Sequence, residues 1–230
     1  MGLEVDHAFI GCATGAPEGD ALLRLGFAEG SRNTHPGQGT ANRRFFFENF
    51  MLELVWVVDP AEAQSERTRR TRLWDRCQGD SEVSPFGIIF RSALMPPASP
   101  PFATWSYAPL YLPPGLAIQI AEGTSLHEPE LFYLPFLRRA TTMSTEPVEH
   151  ALPIRRIRAL SVGLRNRQPL SSASRAAERH GLVSYFVSPL AVLEIQFEGP
   201  AGMRIDLRPD LPLVFRSTMR DSKFEDSWRR

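Results

Sequence analysis

The chain has 230 residues, enough for one large domain or two small ones and for a sizeable core. Its 43% hydrophobic and 23% charged content is that of a folded globular chain and excludes wholesale disorder. Lys+Arg and Asp+Glu both number 26, so the formal charge is zero and a broadly basic nucleic-acid binder is excluded.

Residues 3–11 (LEVDHAFIG) read as a strand, apolar apart from Glu4, Asp6 and His7, with His7 on the same face as Val5 and Phe9. Residues 17–25 read as a short helix, with a proline and acids in the first turn and Gly26 as its stop. Residues 27–32 follow as the next strand, and a Gly-rich loop through 35–40 leads into an apolar run too long for one strand. Its polar interruption, Glu48-Asn49, splits it into strands 41–48 and 50–58. The order so far is β-α-β-β-β. Residues 60–78 have proline first, acids early and arginines late, and Gly79 follows; this predicts a surface helix. Strands are expected at 86–92, 104–112, 115–121 and 131–137, among proline clusters at 96–101, 109–114 and 129–135 that impose loops. After a polar linker at 138–152 come a strand at 155–164, a helix at 169–181, and strands at 190–198 and 202–208 joined as a hairpin by Gly199-Pro200-Ala201-Gly202. The β-α-β-β-β order thus returns. Both Met51-Leu52-Glu53-Leu54 and Met203-Arg204-Ile205-Asp206-Leu207 place an acid in the last strand of a unit. The chain divides into a first module at 1–58, a helix with a degenerate middle β segment at 59–137, a C-terminal module at 138–217 and a polar tail at 218–230, packed as one unit.

Lys223 is the only lysine and lies in that tail, so Schiff-base chemistry has no candidate. Cys12 and Cys77 are too few for a disulfide framework or a thiolate zinc cluster. The start, MGLEVDHAF, lacks the pattern of a signal peptide, and no run approaches the ~18 apolar residues of a membrane span. A reduced, cytoplasmic protein that binds neither membrane nor nucleic acid is expected. No Gly-x-Ser-x-Gly elbow, P-loop or dinucleotide fingerprint is present.

Glu53 is the most informative residue. Its strand is apolar on both faces, and an ionised carboxylate buried there must be paired, bound to metal or open to a polar cavity. His7 stands in a similar setting. The helical crossover of a β-α-β-β-β unit can bring first and last strands together, so both side chains could enter one cavity. That pair suits a zinc, manganese, iron or nickel ion, or a buried hydrogen bond without metal. In His35-Pro36-Gly37-Gln38-Gly39-Thr40-Ala41-Asn42-Arg43-Arg44 the glycines allow close backbone approach. His35, Asn42 and Arg43 would bring polar groups to a pocket rim; an ordinary hairpin connection with capping side chains is the other reading. His127, His150 and His180 read as solvated, and the aromatic residues as core or as apolar pocket walls.

Val5-Asp6-His7-Ala8-Phe9, Leu25-Gly26-Phe27, the HPG-x-GTAN-R segment and Met51-Leu52-Glu53-Leu54 follow one another in an order that resembles the glyoxalase-like domains of the vicinal oxygen chelate superfamily. The resemblance implies an α+β fold of repeated βαβββ modules forming an open, cup-shaped mixed sheet with peripheral helices. It also implies metal ligands on the first and last strands of each module. His7 and Glu53 occupy those positions in the first module; FGIIFRS and LFYLPFL in the middle segment supply none, and the C-terminal unit supplies only Asp206. A standard glyoxalase I site is therefore not expected. Two functions follow. One is a divalent-metal lyase, isomerase or dioxygenase acting on a small oxygenated molecule, with His7 and Glu53 catalytic and His35, Asn42 and Arg43 on the substrate. The other is a metal-free small-molecule binder like the drug-sequestering members. Exposed strand edges would permit a homodimer.

Overall fold

The computed structural model describes residues 2–138, 145–165 and 168–218. The expected tail beyond Thr218 and part of the 138–152 linker lie outside them. The first half of an eight-stranded sheet consists of β1 (Leu3–Gly11), β2 (Asn33–His35), β3 (Thr40–Phe46) and β4 (Met51–Val57), with the short helix α1 (Asp20–Arg24) after β1. The second half consists of β5 (Phe86–Ser92), β6 (Thr104–Tyr107), β7 (Ile118–Ala121) and β8 (Glu130–Tyr133). The expected strands are trimmed where Pro109, Pro113-Pro114 and Pro135 remove ladder donors. The order is β2-β3-β4-β1-β5-β8-β7-β6. β4 runs parallel to β1 and β8 parallel to β5, while β1 and β5 meet antiparallel in the middle. Each half therefore repeats the same order outward from its first strand.

Strand alternation assigns the two faces. Ala8 and Ile10 of β1, Leu52 and Leu54 of β4, and Ile88 and Phe90 of β5 point to one side, where they join the main core. Phe9, Val55, Ile89 and Phe132 point to the other and form a second, smaller cluster. The expected surface helix at 60–78 is three short turns: α2 (Pro60–Ala63), a 3-10 turn (Arg69–Thr71) and α3 (Leu73–Arg76). Its start follows the capping signal, since Asp59 accepts from the N–H groups of Ala61 and Glu62. Helix continuity fails at Arg72, which takes a left-handed conformation (φ 55°). The break lets the segment turn inward. Leu73 joins the smaller cluster, and the Arg76 side chain is fully buried, bonding Glu130 and the carbonyls of Ser84 and Glu128.

The remaining residues form a second mixed sheet from β9 (Ile157–Leu164), β10 (Ser184–Val187), β11 (Val192–Glu198), β12 (Arg204–Asp206) and β13 (Leu213–Thr218), with α4 (Ser172–Arg179) between β9 and β10. Its order is β10-β9-β11-β13-β12. The expected hairpin of 190–198 with 202–208 does not form. β11 pairs in parallel with β13, and β12 pairs only with β13. Burial explains the choice: Leu213 and Phe215 are completely buried beside β11, whereas Arg204 and Asp206 of the three-residue β12 are exposed. β10 and β13 were not expected as strands. This sheet turns Leu160, Val162, Leu193, Ile195, Phe197 and Phe215 into the main core. It thus covers one face of the large sheet, and the opposite face keeps the smaller cluster and its cavity. No helix among the described residues is long and apolar enough to cross a membrane.

Candidate functional site

A cavity of about 180 Å³ lies on the face of the large sheet turned away from the second sheet. His7 and Glu53 both line it. β1 and β4 are hydrogen-bonded neighbours with His7 opposite Met51 and Phe9 opposite Glu53, so the two side chains stand diagonally on one face. The expected convergence therefore occurs, without a direct hydrogen bond between them.

His7 reaches this face through a bulge. Val5 pairs with Phe90 and His7 with Ile89, which leaves Asp6 as the extra residue. Before the bulge Leu3 and Val5 pack on the main core; after it Ala8 and Ile10 do. The parity switch separates His7 from Val5, contrary to the sequence expectation, and leaves it facing the cavity with Phe9. It also brings the Asp6 carboxylate to the His7 ring, 2.6 Å from Nδ1. Arg91 in turn bonds Asp6 and also Glu4. Burial works against the charge on His7, but the Asp6 hydrogen bond and the Glu53 and Asp6 charges outweigh it, so its pKa is raised. Burial likewise opposes ionisation of Asp6, yet its bond to His7 and the charges of His7 and Arg91 hold it below the usual carboxylate range. Nε2 is then the His7 nitrogen left for a ligand.

On β3, Asn42 shares the Glu53 side of the sheet and donates from Nδ2 to Glu53 Oε1 at 2.9 Å. Asn42 is thus placed to orient the carboxylate. His35 lines the cavity, with Nδ1 2.9 Å from the Thr40 hydroxyl, which also accepts from Gln38 Nε2. Burial lowers the His35 pKa despite the nearby Glu53 charge.

Arg43 does not line the cavity. It shares the parity of Ala41 and Phe45, faces the main core, and is 3% exposed. There it bonds Asp20, Glu29 and the carbonyl of Ala16. The expected role for it on a ligand is corrected: it is a buried clamp between β3 and the segment after β1. His150 is likewise not solvated. Its ring packs near Phe27 and Phe47, and Nδ1 accepts from the Ala28 N–H.

The far wall is apolar. Ile89 of β5 stands across from His7, and Leu134 lies two positions beyond Phe132, the register partner of Ile89. That offset matches the offset of Glu53 beyond Met51, so the second half puts Ile89 and Leu134 where the first puts His7 and Glu53. Gly87 lets the Phe9 ring lie over β5, since a Cβ there would sit 2.0 Å from Phe9 Cε1. Phe9 in turn tilts against Phe132 at 5.8 Å.

One edge of the mouth is covered by the proline-rich loop after β6. Tyr111 packs on His35, with ring centroids 4.9 Å apart, and its hydroxyl lies 3.4 Å from Gln38 Oε1. Leu110, 66% exposed, sits on Gly37. Asp6, Arg91, Gln38 and Tyr111 were not picked out as site residues from the sequence. Only the Leu3/Val5 to Ala8/Ile10 parity switch signalled the bulge; the others come from distant segments. Among the described residues, no three His, Cys, Asp or Glu side chains form a cluster able to hold a metal ion.

No curated protein matches the chain. A crystal structure of a hypothetical protein from Staphylococcus aureus is similar at a TM-score of 0.47 and 9% identity, over 96% of this chain and 100% of that one. Residues 5–98, which carry His7, Glu53 and the bulge, match the family described as glyoxalase-like domain. The match over that segment is consistent with the vicinal oxygen chelate superfamily.

Proposed function

We propose that the protein binds a small, partly apolar molecule with an oxygen-bearing end, and that His7 and Glu53 hold that end without a resident metal. The observation that carries this reading is the division of one cavity into a polar side, where His7 and Glu53 stand diagonally on β1 and β4, and an apolar side. Such a division fixes orientation through a few polar groups while most of the ligand surface is buried against hydrocarbon. The His7 Nε2 supplies a donor when the ring is protonated. The Glu53 carboxylate oxygen not bonded by Asn42 supplies an acceptor.

Superfamily members often bind divalent metals. Here β1 and β4 supply His7 and Glu53, His35 is bonded to the Thr40 hydroxyl, and the counterpart positions are Ile89 and Leu134, so no three ligand-type groups cluster among the described residues and these do not complete a cage. The test is a thermal-shift and calorimetric screen of small hydroxy- and carbonyl-bearing molecules, run with and without a chelator. Stabilisation unaffected by chelator, and lost on His7→Ala, is expected. Stabilisation that appears only with added metal would overturn the reading.

A second reading, a divalent-metal enzyme acting on the same class of molecule, is favoured by one observation. The Asp6 carboxylate on His7 Nδ1 is the support that metal-ligating imidazoles commonly have. Stoichiometric metal in the purified protein, together with metal-dependent turnover, would establish it over the first.

A further inference from the structure

We infer that the cavity selects uncharged ligands about the size of one aromatic ring, whose polar end both accepts and donates a hydrogen bond. This deepens the proposed function and rests on it. The volume of about 180 Å³ sets the size. Charge selection follows from where the surrounding cations point. No arginine or lysine is among the described lining residues. Arg43 is on the core face. Arg44 turns to Ser31 and Glu146, Arg91 to Glu4 and Asp6, and Arg72 to Thr124 and Glu130.

An anionic ligand would therefore be desolvated beside the Glu53 carboxylate with no guanidinium among the described lining residues to receive it. His7 already shares its ring with the Asp6 carboxylate. A cationic ligand would find several aromatic rings but Glu53 as its one carboxylate, already accepting from Asn42, because Asp6 is held by His7 and Arg91; desolvating a cation against the apolar wall costs more than that single pairing returns. The polar side presents an imidazole donor and a carboxylate acceptor, and an uncharged ligand with both functions matches them without leaving a buried charge unpaired.

Three isosteres separate the cases: benzamide is uncharged, benzoate anionic and benzamidine cationic. Their affinities for the full chain are measured by calorimetry at one ionic strength and neutral pH. Benzamide is expected to bind about tenfold or more tighter than either of the others. In Glu53→Gln, benzoate is expected to gain about tenfold on benzamide, because the repelling charge is gone. Benzoate or benzamidine binding as tightly as benzamide to the native chain would overturn the inference and leave the small-molecule site standing. Failure of all three to bind up to their solubility limits would remove the site and the inference together. The native-chain comparison decides the matter even if the variant does not fold.

Discussion

Asp6→Asn tests the link on which the site geometry turns. In the native chain the carboxylate serves two cations at once, His7 at 2.6 Å and Arg91. Its side chain is only 14% exposed, so these bonds are shielded from water. Asparagine keeps one carbonyl oxygen and no charge, so one charge-assisted bond is lost outright and the other weakened. A loss of about 2 kcal/mol is expected. For a chain of this size that lowers the melting temperature by roughly 4–8 °C. The loss must also depend on pH. The His7 pKa is raised on folding, so its stabilisation is complete below its unfolded value of 6.5 and fades as pH rises through the folded value. The Asp6 pKa is lowered, so its stabilisation is complete above its unfolded value of 3.8 and fades as pH falls through the folded value. The pair therefore contributes most between these two unfolded values, and the native–variant difference should be larger at pH 5.5 than at pH 9, where the imidazole carries less charge and its bond to Asp6 is weaker. Urea denaturation of both proteins at the two pH values measures this. An equal or larger difference at pH 9 would refute the claim that the Asp6 carboxylate favours the charged form of His7.

Other substitutions separate the site from its frame. Arg43→Met should cost about 3 kcal/mol in denaturant titrations, because it leaves the half-buried Glu29 with only the exposed Arg32 and removes the bonds to Asp20 and Ala16, yet ligand affinity should stay within about twofold. Gly87→Ala should push Phe9 off β5 into the cavity, costing about 1–3 kcal/mol and weakening ring-sized ligands disproportionately. Glu130→Gln should destabilise by about 3–5 kcal/mol, since the fully buried Arg76 would lose its neutralising partner.

The division between what was readable and what was not follows from the range of the forces involved. The strand at 86–92 and the β-α-β-β-β opening were legible because burial imposes local apolar patterns on them. The meeting of His7 and Glu53 was legible because a helical crossover places first and last strands side by side. The side on which Arg43 lies was also written in the sequence: it shares the parity of Ala41 and Phe45, and a residue so placed faces the core however polar it is. Conserving that parity along β1, by contrast, gives the wrong neighbours for His7, because a bulge depends on pairing with β5 some eighty residues away. The pairing of β13 with β11 was hidden for the same reason. Which of two nearby segments takes a central position is decided by tertiary burial of Leu213 and Phe215, and a Gly-Pro turn signal cannot overrule it.

The two halves of the large sheet have the same strand order, so the asymmetry of the cavity resides in side chains and can be reversed by substitution. A cavity with imidazole and carboxylate from both halves would bring two carboxylates together in a poorly hydrated space, and a cation would be needed to offset their repulsion. Hydrocarbon on the second half removes that requirement: Ile89 is 4% exposed and packs with Phe9 and Phe132. Ile89→His combined with Leu134→Glu should therefore produce a protein that is several kcal/mol less stable than the native one in chelator, through lost apolar burial and a new buried charge. Zinc or nickel at about a hundredfold over its Kd should return about 2.7 kcal/mol, by binding the folded state alone. The native protein should show no such response. Metal titration followed by melting temperature tests both statements. A double variant indifferent to metal would mean that Ile89 and Leu134 are not the counterparts of His7 and Glu53, and the two-donor account of the cavity would lose its symmetry argument.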